Sequence, residues 1–453
     1  MRARFFWITA VVVLVLLAVA AVGLNGWVSS YLRSSEFREL IEARTSEALR
    51  AETTLSPLVW SGSSVFSEQL ASGGTPGSPL SSLEAKQLRA NVNWRSIFDG
   101  AWRIERLDVT RLDARVRRSD GNGSRLTDLP ATPATTRKAA PWRSWLPNRF
   151  EIGEVVVQDA NLTVPDAASL RRTELTVRPD GSGWTFDGRG GEVDLAQLPG
   201  LTIEQFRLRL QEDVWFLTEA SLRRGEAGRI ELSGEIGGPR QPVNLRAEWN
   251  QLEARDLLDN VWRERLQGQV AGVADFTGGG GKPIRTAGRY VVTEGSLEGI
   301  PMQRQIARFT RSPQFERIPL HEWSGDFVVE EGATTVENFV LESRGLVKLT
   351  GRIQIDADQS LRGTLRIGLT PQTLQWLPGS RERVFTDSEN GYLWTDLEVG
   401  GTVENPTEDL SDRLIAATAE EVIDAGVQLI DEAPDRARDA VKDIYDLFSP
   451  LLR

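Results

Sequence analysis

The chain has no cysteine and a single histidine, His321, in 453 residues. Without cysteine there is no disulfide scaffold, no thiolate metal site and no cysteine nucleophile. With one histidine, zinc sites built from several histidines are excluded, and a Ser-His-Asp arrangement survives only if His321 serves it. An excess of positive charge is also missing: 53 Lys and Arg stand against 64 Asp and Glu, giving a formal charge of -11 and a pI near 5.0. A general nucleic-acid binder needs a basic face that this composition does not supply. The chain therefore reads as a non-enzyme with no catalytic, cofactor or metal residues to name. A hydrolase working through two carboxylates is a distant alternative, and a linear sequence does not show whether such a pair assembles.

What is present begins with an uncharged apolar run from Phe5 to Leu24, FFWITAVVVLVLLAVAAVGL. At about 1.5 Å per helical residue it measures roughly 30 Å, the thickness of a bilayer's hydrocarbon core. Trp7 near one end, and Trp27 and Tyr31 beyond the other, suit the headgroup level and are the expected membrane-interface anchors. Arg2, Arg4 and the small residues Ala18-Val19-Ala20 also resemble a cleaved secretory signal, but the apolar run continues past that site. A retained anchor over residues 1–27 is favoured over cleavage. Arg33, Arg38 and Arg44 on the far side leave charge bias undecided, and the signal-like start places the N-terminus inside with the body exported.

From Val28 to about Arg50, Val28, Leu32, Phe37, Leu40, Ile41, Ala48 and Leu49 recur near helical spacing. An amphipathic helix is expected over residues 28–55, lying on lipid or capping the next domain, the latter being the commoner fate of such a stripe. Ala71 to Pro79, ASGGTPGSP, is a loop by composition.

The period then changes to two. Ala90, Val92 and Trp94 alternate with polar residues, as do Leu107 and Val109, and Leu112, Ala114 and Val116. Residues 119–141 lack periodicity and read as an exposed loop, closed by Trp142 and Trp145. Beyond it, strand patterns run almost without a break. Examples are Val243-Leu245-Ala247-Trp249, Val347-Leu349-Gly351-Ile353-Ile355, Leu361-Gly363-Leu365-Ile367-Leu369 and Leu393-Leu397-Val399-Gly401-Val403. The clearest interruption is a weak helical stretch from Leu252 to Leu266. An elongated β domain is expected over residues 83–403, on the order of twenty strands, stacking at about 4.8 Å to roughly 100 Å.

Several strands carry the pattern apolar, any, Gly, any, apolar: LSGEI at Leu232, LQGQV at Leu266, WSGDF at Trp323, LTGRI at Leu349, LRGTL at Leu361 and VGGTV at Val399. Each glycine falls on the apolar face. It either leaves a groove for an apolar ligand or permits a bulge and strong coiling, and the second is favoured at any one site. On the groove reading, replacing Gly351 and Gly363 with Phe would block the ligand and leave the fold. Residues 406–453 return to helical spacing, with Leu414, Ile415, Val422 and Ile423 in one stripe and Ala437, Val441, Ile444 and Phe448 in another. Their polar face is acidic, which suits a cap or a protein partner better than anionic headgroups.

Three motifs fail. TGGGGKP at Thr277 has Phe276 where a phosphate loop needs its first glycine and Pro283 where it needs Ser or Thr. Asp356 and Asp358 lack the rest of a calcium loop and suit a turn. His321 has no other histidine or cysteine to join it.

One anchor, a short amphipathic helix and a long run of alternating strands resemble the AsmA family of bacterial envelope proteins. The matching text is NVNWRSIFDGAWRIERLDVTRLDARV from Asn91, GRYVVTEGSLEGIPMQRQIARF from Gly288, FVVEEGATTVENFVLESRGLVKLTGRIQI from Phe327 and VGGTVENP from Val399. The likeness to that family's C-terminal region covers about residues 284–405, while residues 163–281 match only by pattern. It implies a protein of the bacterial inner membrane with a periplasmic body, supporting outer-membrane biogenesis or lipid homeostasis. Relatives such as TamB resemble bridge-like lipid transfer proteins, and the family supplies no catalytic residues.

The expected fold is thus mainly β. One N-terminal transmembrane helix precedes an elongated, curled, largely antiparallel sheet forming an open trough, with amphipathic helices at both ends. The expected function is binding or transfer of phospholipid acyl chains, with Leu349, Gly351, Ile353, Ile355, Leu361, Gly363, Leu365, Ile367, Leu369, Leu397, Val399, Gly401 and Val403 lining the trough. The alternative is a structural or assembly factor for outer-membrane proteins, with the C-terminal helices as candidate docking element for an envelope partner.

Overall fold

The computed structural model describes residues 32–417, apart from 75–77, 79, 94–95, 97–98, 118–148, 167, 196–197, 213, 238–240, 259–262, 299–315, 376–378 and 415. The apolar run Phe5 to Leu24, with Trp7, Trp27 and Tyr31, lies outside the described residues. So do the expected loop 119–141 and most of the expected helical pair 406–453. Among the described residues no helix is long and apolar enough to cross a membrane. The protein is mainly β, with 24 strands and few helices among the described residues. It divides into two compact units, Met1–Glu212 and Asp213–Arg453.

The first unit opens on helix α1, Ser35–Leu49. Ser34 caps it, its hydroxyl accepting from the Phe37 N–H at 3.4 Å. Arg50 ends it in the left-handed conformation, φ 50°. The helix stops short of residue 55 because Ala51–Leu55 (β1) alternates buried and exposed as a strand, with β-branched Thr53 and Thr54 at its centre. The sheet therefore starts at Ala51 and not at residue 83. β1 and β2 (Val59–Ser61) both pair with β3 (Ser64–Gly74). The glycine-rich end of β3 reads as loop by composition, yet Ala71 to Gly74 pair with Ala51 to Thr54. Gly74 is required there, since a Cβ would sit 1.8 Å from the Leu80 carbonyl oxygen.

β4 (Leu80–Asn93) joins β3 to β5 (Ala101–Val116). At β5 the antiparallel order breaks: β6 (Arg149–Ile152) and β7 (Val155–Val164) both run parallel to it. A parallel neighbour needs a crossover of about a dozen residues or more, which the segment between Arg117 and Arg149 supplies. β8 (Ala168–Asp180), β9 (Gly183–Arg189), β10 (Glu192–Leu195) and β11 (Leu198–Gln211) complete the unit, with β9 and β10 each paired to both β8 and β11.

The second unit is antiparallel at every recorded strand pair. Its strands are β12 (Val214–Arg224), β13 (Gly228–Gly237), β14 (Pro242–Glu253), β15 (Leu266–Gly279), β16 (Lys282–Glu298), β17 (Arg317–Leu320), β18 (Glu322–Glu330), β19 (Ala333–Ser343), β20 (Val347–Ile355), β21 (Leu361–Leu369), β22 (Asp387–Glu389), β23 (Tyr392–Gly401) and β24 (Pro406–Glu408). Successive strands from β12 to β16 pair in order, then β16 with β17 and β18, and β18 through β21 to β23. β22 and β24 both pair with β23. Between these strands, among the described residues, lie three single-turn helices, α2 (Ala254–Leu257), α3 (Pro371–Leu374) and α4 (Ser380–Arg383). The longer helix suggested by Leu252 to Leu266 is not formed as such: Leu252 pairs with Val270 and Leu266 with Leu297, so both ends are drawn into the sheet. Pro406–Glu408 is likewise strand, and helix begins only at Leu410.

Bulges keep the faces in phase. Where apolar-face residues stand three apart instead of two, the extra residue is absorbed with positive φ. Gln251 does so between Trp249 and Leu252, Glu294 between Val292 and Gly295, and Asn338 between Val336 and Phe339.

Candidate functional site

The candidate site is the apolar face of the sheets. In the first unit, Ala85, Leu112, Ala160 and Thr173 are register partners in turn across β4, β5, β7 and β8, as are Leu88, Val109, Val157 and Leu175. Ala85, Val109, Val157 and Ala160 form a buried cluster with Leu70, Leu107, Val155, Leu170 and Leu175, drawn wholly from strands. At one end of this face α1 lays Phe37, Leu40 and Ile41 onto Val92, Trp102, Ile104 and Phe150. Trp102 is 1% exposed beneath Phe37, with ring centroids 5.2 Å apart. Of the two fates open to that helix, its apolar stripe packs on the sheet. Beside it an open cavity of about 540 Å³ is lined by Phe150, Ile152, Pro179 and Trp184 together with Arg103 and Glu151.

The opposite face is charged. Arg106 bridges Asp108 and Glu154, Glu154 continues to Arg178, and Arg178 through Asp187 to Arg207. Arg111 holds the Asp113 carboxyl below its ordinary pKa, working against partial burial. Such exposed pairs are screened by water and add little stability, so their consequence is to fix which face stays wet.

In the second unit the same division holds across β13 to β23. One row runs Ile230, Trp249, Gly272, Tyr290 and Gly325. The next runs Leu252, Val270, Val292, Trp323, Leu341, Leu349 and Ile367. A third runs Leu232, Ala247, Ala274, Gly288, Phe327, Val336, Ile353, Gly363 and Val399.

Most of the expected lining residues meet in one place. Leu349, Ile353, Leu365, Ile367, Leu369, Leu397 and Val399 join a single cluster. Gly351 pairs with Leu365 and Gly363 with Ile353 and Val399 on that face, and Ile355 pairs with Leu361 at the strand ends beyond them. Gly401 is exposed at the end of β23, paired with Pro406, and Val403 lies beyond the strand with its N–H on the Gln359 carbonyl. The cluster is covered: Leu374 of α3, Val384 and Phe385 at the end of α4, and Leu410, Leu414 and Ala417 pack onto it, Phe385 being 0% exposed. Less covered apolar positions occur on β13 to β18, where Leu245, Trp249, Phe276, Tyr290 and Phe327 are half-buried. Their alternation is visible in the sequence, but only the register shows that they share a face with β20 to β23.

The glycines on this face do not leave empty grooves. A Cβ on Gly272 would lie 2.5 Å from the Trp249 ring, one on Gly288 2.8 Å from Phe327, and one on Gly325 3.0 Å from the Tyr290 hydroxyl. An aromatic from the adjacent strand lies across each. Gly234, Gly268 and Gly351 have φ between 129° and 148°, and there the backbone itself requires glycine. Gly351 is thus no site for a simple blocking substitution.

The failed motifs have plain structural fates. The run from Thr277 forms the β15–β16 hairpin tip, with positive φ at Gly278 through Gly281. Asp356 accepts from Gln354 and Ser360, and Asp358 from the Ser360 N–H, so both serve a turn. Exposed His321 accepts the Arg344 N–H at its Nδ1, 3.2 Å away. Among the described residues no three His, Asp or Glu side chains gather as a metal site. No family model matches the chain, nor does any curated protein or solved structure.

Proposed function

We propose that this chain binds phospholipid acyl chains along its apolar sheet faces and passes them between membranes of a bacterial envelope. It is held by the Phe5 to Leu24 segment as a single-pass inner-membrane anchor, with the body in the periplasm. The resemblance to the AsmA family supports the same reading and links it to outer-membrane biogenesis. The observation that carries it is the register that aligns apolar residues from strand to strand in each unit, with cross-strand ion pairs such as Arg106–Glu154 and Arg289–Asp326 on the other face. A face of that kind offers methylene groups an environment like the one they leave in a bilayer and spares them exposure to water, which costs about 0.8 kcal/mol per CH₂.

The competing reading, an assembly factor that pairs with other proteins at a sheet edge, has less support at β24. That strand is three residues long and begins with Pro406, a device that blunts an edge. Mass spectrometry of the purified chain tests the proposal. Co-purifying phospholipid is expected, and a lipid-free protein that takes up none from vesicles would refute it.

A further inference from the structure

The apolar face of the second unit is covered unequally. Over β14 to β18, Leu245, Trp249, Phe276, Tyr290 and Phe327 are half-buried. Over β20 to β23, Leu365, Ile367, Leu393 and Leu397 are each less than a tenth exposed, because other parts of the chain lie on them. Two pieces do this. The helical residues from Leu410 are fastened to the outer edge of β23, where Arg413 donates to the Asp396 carbonyl at 2.7 Å and the Glu398 N–H donates to the Asp409 carboxylate at 2.8 Å. The other piece is α3 and α4, single turns of four residues each. They and the residues that follow α4 set Leu374, Val384 and Phe385 on the face and leave Gln372, Arg381 and Glu382 exposed.

A helix of one turn does not persist in water by itself, so α3 and α4 depend on the burial of Leu374, Val384 and Phe385. An acyl chain brings the same kind of surface. The covered stretch also continues the less covered one, since Val292, Trp323, Leu341, Leu349 and Ile367 are register partners in turn from β16 to β21. On β20 to β23, α3 and α4 therefore compete with an acyl chain for one hydrocarbon area, and each excludes the other. We propose that α3 and α4 form an internal stopper, an autoinhibitory contact that holds the place of an acyl chain on β20 to β23 and ends the lipid path in this unit near β19 until it is displaced. The helical residues from Leu410 are the fixed wall beside it. This rests on the acyl-lipid reading above and adds its regulation.

The test loads the whole chain from phosphatidylglycerol vesicles containing a phospholipid with a diazirine in its acyl chain, irradiates it and maps the adducts by mass spectrometry. In the unsubstituted chain, adducts should fall at Leu245, Phe276 or Phe327 and not at Ile367 or Leu397. The double variant Leu374→Ser, Phe385→Ser leaves every strand residue unchanged and weakens the stopper, and should raise adducts at Ile367 and Leu397 by roughly tenfold or more. Gln372→Ser with Glu382→Ser, on the exposed side, should leave the map as it was. Should circular dichroism show the double variant unfolded, Phe385→Ala alone carries the same prediction. Adducts at Ile367 in the unsubstituted chain equal to those at Phe276, or a map unchanged in a folded stopper variant, overturn the stopper and leave the acyl-binding face standing. An unsubstituted chain with adducts at none of these positions overturns the acyl-lipid reading itself.

Discussion

Gly351 and Gly363 look alike in the sequence, each at the centre of an apolar-any-Gly-any-apolar run, and they differ in the sheet. Gly351 has φ 148°, and a Cβ there would fall 2.3 Å from the Thr364 carbonyl oxygen. At Gly363 a Cβ would meet nothing closer than Val399, at 3.4 Å. Gly351→Ala should therefore cost about 1–3 kcal/mol in urea unfolding, and Gly363→Ala within about 1 kcal/mol. Equal costs would contradict the strain argument. The sequence pattern located both glycines on the apolar face, but φ is set by the neighbouring strands and is not written in the five-residue run.

The same scale holds a pH prediction. Burial works to raise the Glu342 carboxyl pKa, yet hydrogen bonds from the Tyr392 hydroxyl and Lys348 prevail and hold it below its ordinary 4.5. A depressed carboxylate stabilises the fold above its unfolded pKa, and that contribution is lost as pH falls through the folded value. Unfolding free energy should decline below about pH 4.5, and Tyr392→Phe should make the decline shallower. An unchanged slope would show that the hydroxyl does not hold the carboxylate.

At the scale of elements, α1 joins its unit through one face. Phe37 is 4% exposed and touches both Trp60 and Trp102. Phe37→Ala should cost about 3–5 kcal/mol and open Trp102 to quenching by acrylamide, whereas Glu39→Ala on the polar side should do neither. Leu32, Phe37, Leu40 and Ile41 were legible as a helical stripe, because a period of 3.6 survives whatever the helix packs on. The start of the sheet at Ala51 was hidden by a stretch too short to show a period. The parallel step at β5 depends on a long connection that composition marks only as loop. The bulges were in plain view as apolar residues three apart, such as Val336 and Phe339, within runs that otherwise alternate.

For the whole molecule, alternation in the sequence gave the mainly β fold, since a strand with one apolar face reads the same wherever it sits. It did not reveal that the run from Leu349 to Val399 would be covered by α3, α4 and the helical residues from Leu410. Nor did it mark the half-buried aromatics of β14 to β18 as belonging to the same face, because register joins residues far apart in the chain. The central claim is that acyl chains lie on that face and not on the charged one. A photoreactive phenylalanine analogue placed singly at Leu245 or Phe276, and at Arg246 or Asp275 on the opposite face, addresses it directly once the chain is loaded from phospholipid vesicles and irradiated. Lipid adducts should form from Leu245 and Phe276 and not from Arg246 or Asp275, and adducts from both faces alike, or from neither, would contradict the account.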